Sequence, residues 1–247
     1  MTIEDKQKIA DFIGITSDFF FSGYISNHEE YNFTDDSEDA LDTQHESVSQ
    51  NGEITEENDS LEKIAGEIKA CMNCPLAATR KNTVPGEGVL HPLVLVIGEG
   101  PGADEDTQGR PFVGRAGQLL DKILASIQLS RKSNCFIANV VKCRPPNNRD
   151  PHPEERKACA HFLRRQIAFL KPKFILLTGN VAAQSLLQIK EQVGKIHGRF
   201  FDFNIDNLTI PLMVTYHPSA LLYSDEYKRP VWEDLKLLRA RIENNEQ

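Results

Sequence analysis

Three polar groups stand where apolar runs of this chain end. Asn139 interrupts the run Cys135 to Lys142, His217 closes the run that begins at Ile210, and Leu93 to Gly98 opens directly into Gly98-Glu99-Gly100-Pro101-Gly102. A carboxamide offers an acceptor and a two-proton donor from one rigid group. Glycine-rich backbone after a strand can approach a ligand closely and present freed amides to an anion or a carbonyl. Pro218 holds His217 extended, and Ser219 can cap a following helix. Taken singly, each feature has a plainer meaning: Asn139 as a turn or bulge residue, His217 as a surface side chain. The glycine run lacks both the helix-opening spacing of a dinucleotide fingerprint and the Lys-Ser/Thr of a phosphate loop. Three carboxylates, Glu99, Glu105 and Asp106, lie close by in sequence.

The cysteines form a second constellation. Cys71 and Cys74 make a CxxC followed by Pro75, while Cys143 and Cys159 flank the turn-rich stretch Arg144 to Arg149. Four thiolates arriving from two short segments make a metal or cluster site, and this spacing argues against disulfides. It does not separate a four-cysteine zinc from an iron–sulfur cluster. Cys135, inside an apolar strand, reads as a buried structural thiol.

The elements that must position these groups alternate along the chain. Expected strands are Leu93 to Gly98, Cys135 to Lys142, Phe174 to Gly179 and Ile210 to His217; expected helices are Ala116 to Ile127, Pro153 to Leu170, Val181 to Ile189 and Trp232 to Glu243. Continuously apolar strands alternating with helices predict a three-layer α/β/α sandwich around a mainly parallel four-stranded sheet. In such folds the working groups gather at the carboxyl ends of the strands.

Residues 1–24 suit a short helix with Ile3, Ile9, Phe12 and Ile13 on one face, followed by Phe19-Phe20-Phe21. That segment is either a linear motif for a replication or repair partner or a piece that docks loosely or is disordered. Residues 25–59, polar and acidic, cannot offset their ordering entropy and are expected as a disordered linker, which leaves 60–247 as the folded domain. The net charge of −8 hides a division: residues 1–60 carry 16 acidic and 2 basic side chains, whereas the other 187 carry 20 acidic and 26 basic. The domain is thus basic, as nucleic-acid binding requires. No apolar stretch is long enough for a membrane span and no secretory pattern opens the chain, so a cytoplasmic monomer is expected.

Together the segments CxxCPL (Cys71 to Leu76), GEGPG (Gly98 to Gly102), GRPFVGRAGQLLD (Gly109 to Asp121), NVVKCRPPNNRDP (Asn139 to Pro151), Cys159 and HPSALL (His217 to Leu222) resemble the family 4, or type-4, uracil-DNA glycosylases. The resemblance spans Leu61 to Arg241 and implies a monofunctional hydrolase that flips uracil out of single- or double-stranded DNA and leaves an abasic site. It also implies a 4Fe–4S cluster on Cys71, Cys74, Cys143 and Cys159. Phe112 would stack on uracil, and Asn139 would accept from N3–H and donate to O4, a pattern that cytosine inverts. His217, helped by backbone around Glu99 and Gly100, would stabilise the departing uracil anion. The superfamily's best-known branch has an aspartate where this chain has Gly100. Glu99, Glu105 and Asp106 are then the nearby candidates for activating water. Glu105 would form a pocket wall that also excludes the thymine methyl, Asp106 would lie beside the substrate, Glu99 would contribute to the site, and either Glu99 or Glu105 could orient water. DNA contacts would fall to Ser219, Arg115 and Arg144, with Leu221 or Leu222 as the wedge. Many relatives carry Arg after the paired leucines; Tyr223 stands here.

Other functions compete. A zinc-stapled binding module would need Asn139 and His217 to be incidental. A DNA-binding or polymerase-associated iron–sulfur protein would release no base. A glycosylase of wider taste would also accept thymine, hypoxanthine or xanthine.

Overall fold

The computed structural model describes residues 47–49 and 59–245. Its centre is built from four buried apolar runs: β3 (Val94–Gly98), β4 (Cys135–Asn139), β5 (Phe174–Thr178) and β7 (Leu208–Thr215). They lie parallel in the spatial order β7-β5-β3-β4, as the apolar runs predict. The sheet is wider than the expected four strands. β6 (Phe200–Ile205) pairs antiparallel with β7, β1 (Ser47–Ser49) runs parallel to β6, and β2 (Glu87–Gly88) lies antiparallel on the other edge against β4. Strand β6 buries Phe201, Phe203 and Ile205 and exposes more of the residues between them, a half-buried pattern. Asp206, at a φ of 51°, turns it into β7.

Alternation along the strands divides the core. Leu95, Ile97, Phe136, Ala138, Ile175, Leu177, Leu212 and Val214 pack with Ile64 and Ile68 of α1 (Leu61–Ala70), Phe162, Leu163 and Ile167 of α4 (Pro153–Leu170), and Ala182, Ala183 and Leu186 of α5 (Asn180–Leu187). The equally buried Val94, Val96, Ile137, Leu176 and Met213 project to the opposite face. There the buried stripes of α3 (Arg115–Ser126) and α8 (Lys228–Asn245) supply cover. Short helices α2 (Ala103–Gln108), α6 (Val193–Ile196) and α7 (Pro218–Tyr223) fill the connections.

Two local devices set the entry to the cysteine region. Ser60 caps α1 by accepting from the Lys63 amide at 3.1 Å, and the helix ends at Cys71. Glu155 accepts from the His152 amide at 2.7 Å and takes both arms of Arg149 at 2.8 and 2.7 Å, fastening the loop after β4 to the start of α4. Of the expected linker 25–59, Ser47–Ser49 form a strand and Asp59 pairs with Arg165 at 2.6 Å. The rest of it and the expected segment 1–24 lie outside the described residues. Among the described residues no helix is long and apolar enough to cross a membrane.

Candidate active site

Gly98 and Asn139 end adjacent parallel strands in direct register, and His217 follows the end of β7 by two residues. A Cβ on Gly98 would fall 2.5 Å from Cζ of Phe112 and 2.6 Å from Oδ1 of Asn139, so glycine is what lets ring and amide converge there. The Phe112 ring also faces the His217 imidazole, centroid to centroid 5.7 Å at 35°. Phe112, Asn139 and His217 are thus one cluster at the carboxyl end of the sheet.

Asn139 is 2% exposed, and its Oδ1 is buried with no hydrogen-bond partner. A buried carbonyl left unpaired costs about 1–3 kcal/mol, so it marks a place where a donor is expected to arrive. Behind it, Lys142 donates to the Asn139 backbone oxygen at 2.8 Å and to Oε1 of Gln166 at 2.7 Å. Burial brings that ammonium down to about 8, with Cys159 opposing the shift.

His217 caps α7. Its Nδ1 accepts from the Ser219 amide at 3.2 Å and lies 2.7 Å from the Ser219 hydroxyl. A ring nitrogen that accepts a backbone N–H carries no proton, so the neutral ring bears its proton on Nε2. Burial lowers the imidazole to about 4, against the pull of Glu105, and the ring is neutral at ordinary pH.

Phe112 adopts a left-handed φ of 52°, which costs a side-chain-bearing residue roughly 1–2 kcal/mol. Both sides of this turn are held. Glu105 accepts from the amides of Val113 (2.8 Å), Gly114 (2.9 Å) and Gly102 (3.1 Å). Arg131, from the far end of the α3 connection, donates to the carbonyls of Pro111 at 2.7 Å and Phe112 at 2.9 Å. Gly117 sits beneath, where a Cβ would fall 2.0 Å from the Phe112 carbonyl carbon and oxygen.

These contacts revise several expected roles. The Glu105 carboxylate is committed to three amides and holds the Phe112 turn, while its charge still acts on the His217 imidazole. Asp106, 2% exposed, turns to the Lys81 and Asn82 amides at 2.8 and 3.3 Å, away from the cluster. Glu99 alone of the three has no hydrogen-bonded carboxylate among the described residues. Burial first, then Asp150, raises it to about 7 against Arg156. The Glu99 and Gly100 amides donate to no described backbone group, and a Cβ on Gly100 would meet Val141 Cγ2 at 2.8 Å.

On the outer side, Leu221 is 4% exposed and belongs to the core, whereas Leu222 at 39% and Tyr223 at 90% stand out. Ser219 is engaged with His217. Arg115 is exposed at the start of α3, and Arg144 bonds the Asn148 side chain at 2.7 Å. Lys142 is buried and offers DNA nothing.

None of the five cysteines is in a disulfide. Cys71, Cys74, Cys143 and Cys159 line one small cavity, while Cys135 is buried in β4. Arg80 donates to Sγ of Cys143 at 3.1 Å and to the Lys69 carbonyl at 3.1 Å, placing a cation beside the thiols. Burial raises Cys143, and raises Cys159 to about 11. Among the described residues no three ligating side chains are grouped for a single metal ion. The four thiols share that cavity, as a group held by all four would require.

The sequence pointed to Phe112, Asn139, His217 and the glycine run from Gly98 but not to Arg131 or Arg80. Gly117, inside a helical pattern, carried the one available signal, since a glycine there usually answers to packing.

The chain has relatives among known proteins. Residues 85–236 match the family model for the uracil-DNA glycosylase superfamily, and the chain belongs to that superfamily. More closely, it is 43% identical over 181 residues to a type-4 uracil-DNA glycosylase of Pyrobaculum aerophilum, covering 72% of this chain and 92% of that protein. It is also 43% identical over 185 residues to the type-4 enzyme of Thermotoga maritima, covering 74% and 94%. The type-4 protein of Archaeoglobus fulgidus is 39% identical over 182 residues, covering 72% and 91%. The chain is a member of the type-4 branch.

Proposed function

We propose that this chain removes uracil from DNA by hydrolysing its N-glycosidic bond. One observation carries the reading: an aromatic ring, an unpaired buried amide oxygen and a neutral imidazole converge at the strand ends. A base inside a duplex cannot reach such a pocket, so the nucleotide is flipped in, or arrives single-stranded. Phe112 stacks on the pyrimidine. The Asn139 Oδ1 accepts from N3–H and its NH₂ donates to O4. Cytosine presents an acceptor and a donor in the opposite places.

As the C1′–N1 bond breaks, its electron pair passes to the uracil ring and negative charge gathers on O2 and N1. The Nε2–H of His217 donates to O2 without giving up its proton; a preorganised donor of this kind is typically worth roughly 10²–10³ in rate. Water adds to C1′. With Glu105 and Asp106 occupied by amides, Glu99 is the carboxylate at the strand end that orients this water.

DNA is held by Arg115 and Arg144 and by the backbone around Ser219, and Leu222 with Tyr223 enters the space left by the flipped base. Cys71, Cys74, Cys143 and Cys159 would hold a 4Fe–4S cluster, and Arg80 would offset part of its negative charge. Through those thiols the end of α1 would be tied to the loop after β4.

The test is incubation with a labelled oligonucleotide bearing one uracil, beside thymine and cytosine controls, followed by alkali. Cleavage confined to the uracil strand and lost in Asn139→Ala supports the reading. Cleavage at thymine would show a wider taste, and no cleavage by iron-loaded protein would point to a binding module.

A further inference from the structure

Phe112 can stack on a base only if its left-handed turn holds, and nothing in its own side chain favours that conformation. The turn is gripped through its backbone from opposite electrical sides. Glu105 takes the Val113 and Gly114 amides, and the Arg131 guanidinium takes the Pro111 and Phe112 carbonyls. Arg131 is itself fixed: only 8% exposed, it bonds Asp121 through Nε at 2.9 Å and has Glu87 3.8 Å away. Its planar fork can bridge two successive carbonyls, which an ammonium cannot do in the same geometry.

Resting on the glycosylase reading above, we propose that Arg131 is a positioning residue for base excision. Paired with Asp121, it presses the Pro111–Phe112 carbonyls into the turn that aims the Phe112 ring at the base. Arg131 touches no reacting atom; it acts through Phe112. A displaced stacking ring misplaces the base relative to His217 and Asn139, and a misplacement near 1 Å can cost on the order of 10²-fold in rate.

The experiment is a double-mutant cycle of Arg131→Met and Phe112→Ala in single-turnover uracil release, with a crystal structure of Arg131→Met. The clamp predicts a fall in kcat of roughly 10- to 100-fold with little change in KM for Arg131→Met, but less than about threefold once Phe112 is already alanine. Arg131→Lys should fall between Met and the parent. It also serves as the test variant if Met does not fold. In the crystal, Phe112 should leave the positive-φ region while the sheet stays unchanged. Equal losses in both backgrounds, or an undisturbed Phe112, would overturn the proposal. A parent protein that releases no uracil would sink the functional reading, leaving the crystal structure to decide the clamp.

Discussion

Glu99 gives the account a pH signature. Its carboxyl is raised to about 7 by burial and by Asp150, with Arg156 opposing, whereas burial keeps the His217 imidazole neutral down to about 4. If ionised Glu99 orients the water, kcat/KM should rise with slope one up to pH 7 and then level. At pH 5.5 a group of that pKa is only about 3% ionised, so the rate should lie roughly 30-fold below its plateau. His217 adds nothing to this limb because it does not titrate in that range. Glu99→Gln should flatten the profile and lower the plateau by about 10²-fold or more. Asp150→Asn, by removing a charge that raises Glu99, should move the limb to lower pH, and Arg156→Gln should move it higher. The assay is uracil release at subsaturating enzyme from pH 5 to 8.5, which reports the free enzyme. A flat profile in the parent, or a limb that survives in Glu99→Gln, would refute the role given to Glu99.

Gly117→Ala should destabilise by about 1–3 kcal/mol through overpacking against the Phe112 carbonyl, although alanine is the better helix former. Thermal melting checks the sign, and uracil release should fall with it because the Phe112 turn is displaced. Cys143→Ser should lose iron and inorganic sulfide and lower the folded yield, since it removes one thiol from the shared cavity and the sulfur that Arg80 contacts. A variant with full iron content would contradict the ligand assignment.

The four central strands and α4 were legible because continuous apolar runs and a Pro153 start leave little freedom. Helix α2 was not. Its Ala-Asp-Glu-Asp-Thr-Gln sequence has no apolar stripe and reads as a loop, held instead by Glu105 bonding back to Gly102. Strand β6 carried an alternation and an Asp206-Asn207 turn that could have been read as a hairpin. In the site, residue types alone left Asn139 and His217 ambiguous, and the family resemblance gave them roles. Spacing cannot tell where a carboxylate points, and Glu105 and Asp106, read as pocket acids, prove to serve backbone amides. Arg131 lies 20 and 19 residues from the two carbonyls it grips, a separation with no periodic signature. Of two adjacent leucines, only the helix phase of α7 decides that Leu221 is buried and Leu222 exposed.

The central claim is that the Asn139 amide reads the base. Its most direct test is the ratio of uracil to cytosine release by the parent and by Asn139→Asp. A protonated aspartic acid at this buried position would donate to N3 of cytosine and accept from its amine. Uracil would meet the ionised carboxylate, whose second oxygen faces O4 as acceptor against acceptor and leaves that contact unpaired at about 1–3 kcal/mol. The parent should release uracil only, and the variant should lose uracil release by at least roughly 30-fold while acquiring measurable cytosine release. A variant that keeps the parent's rate and preference for uracil would contradict the claim.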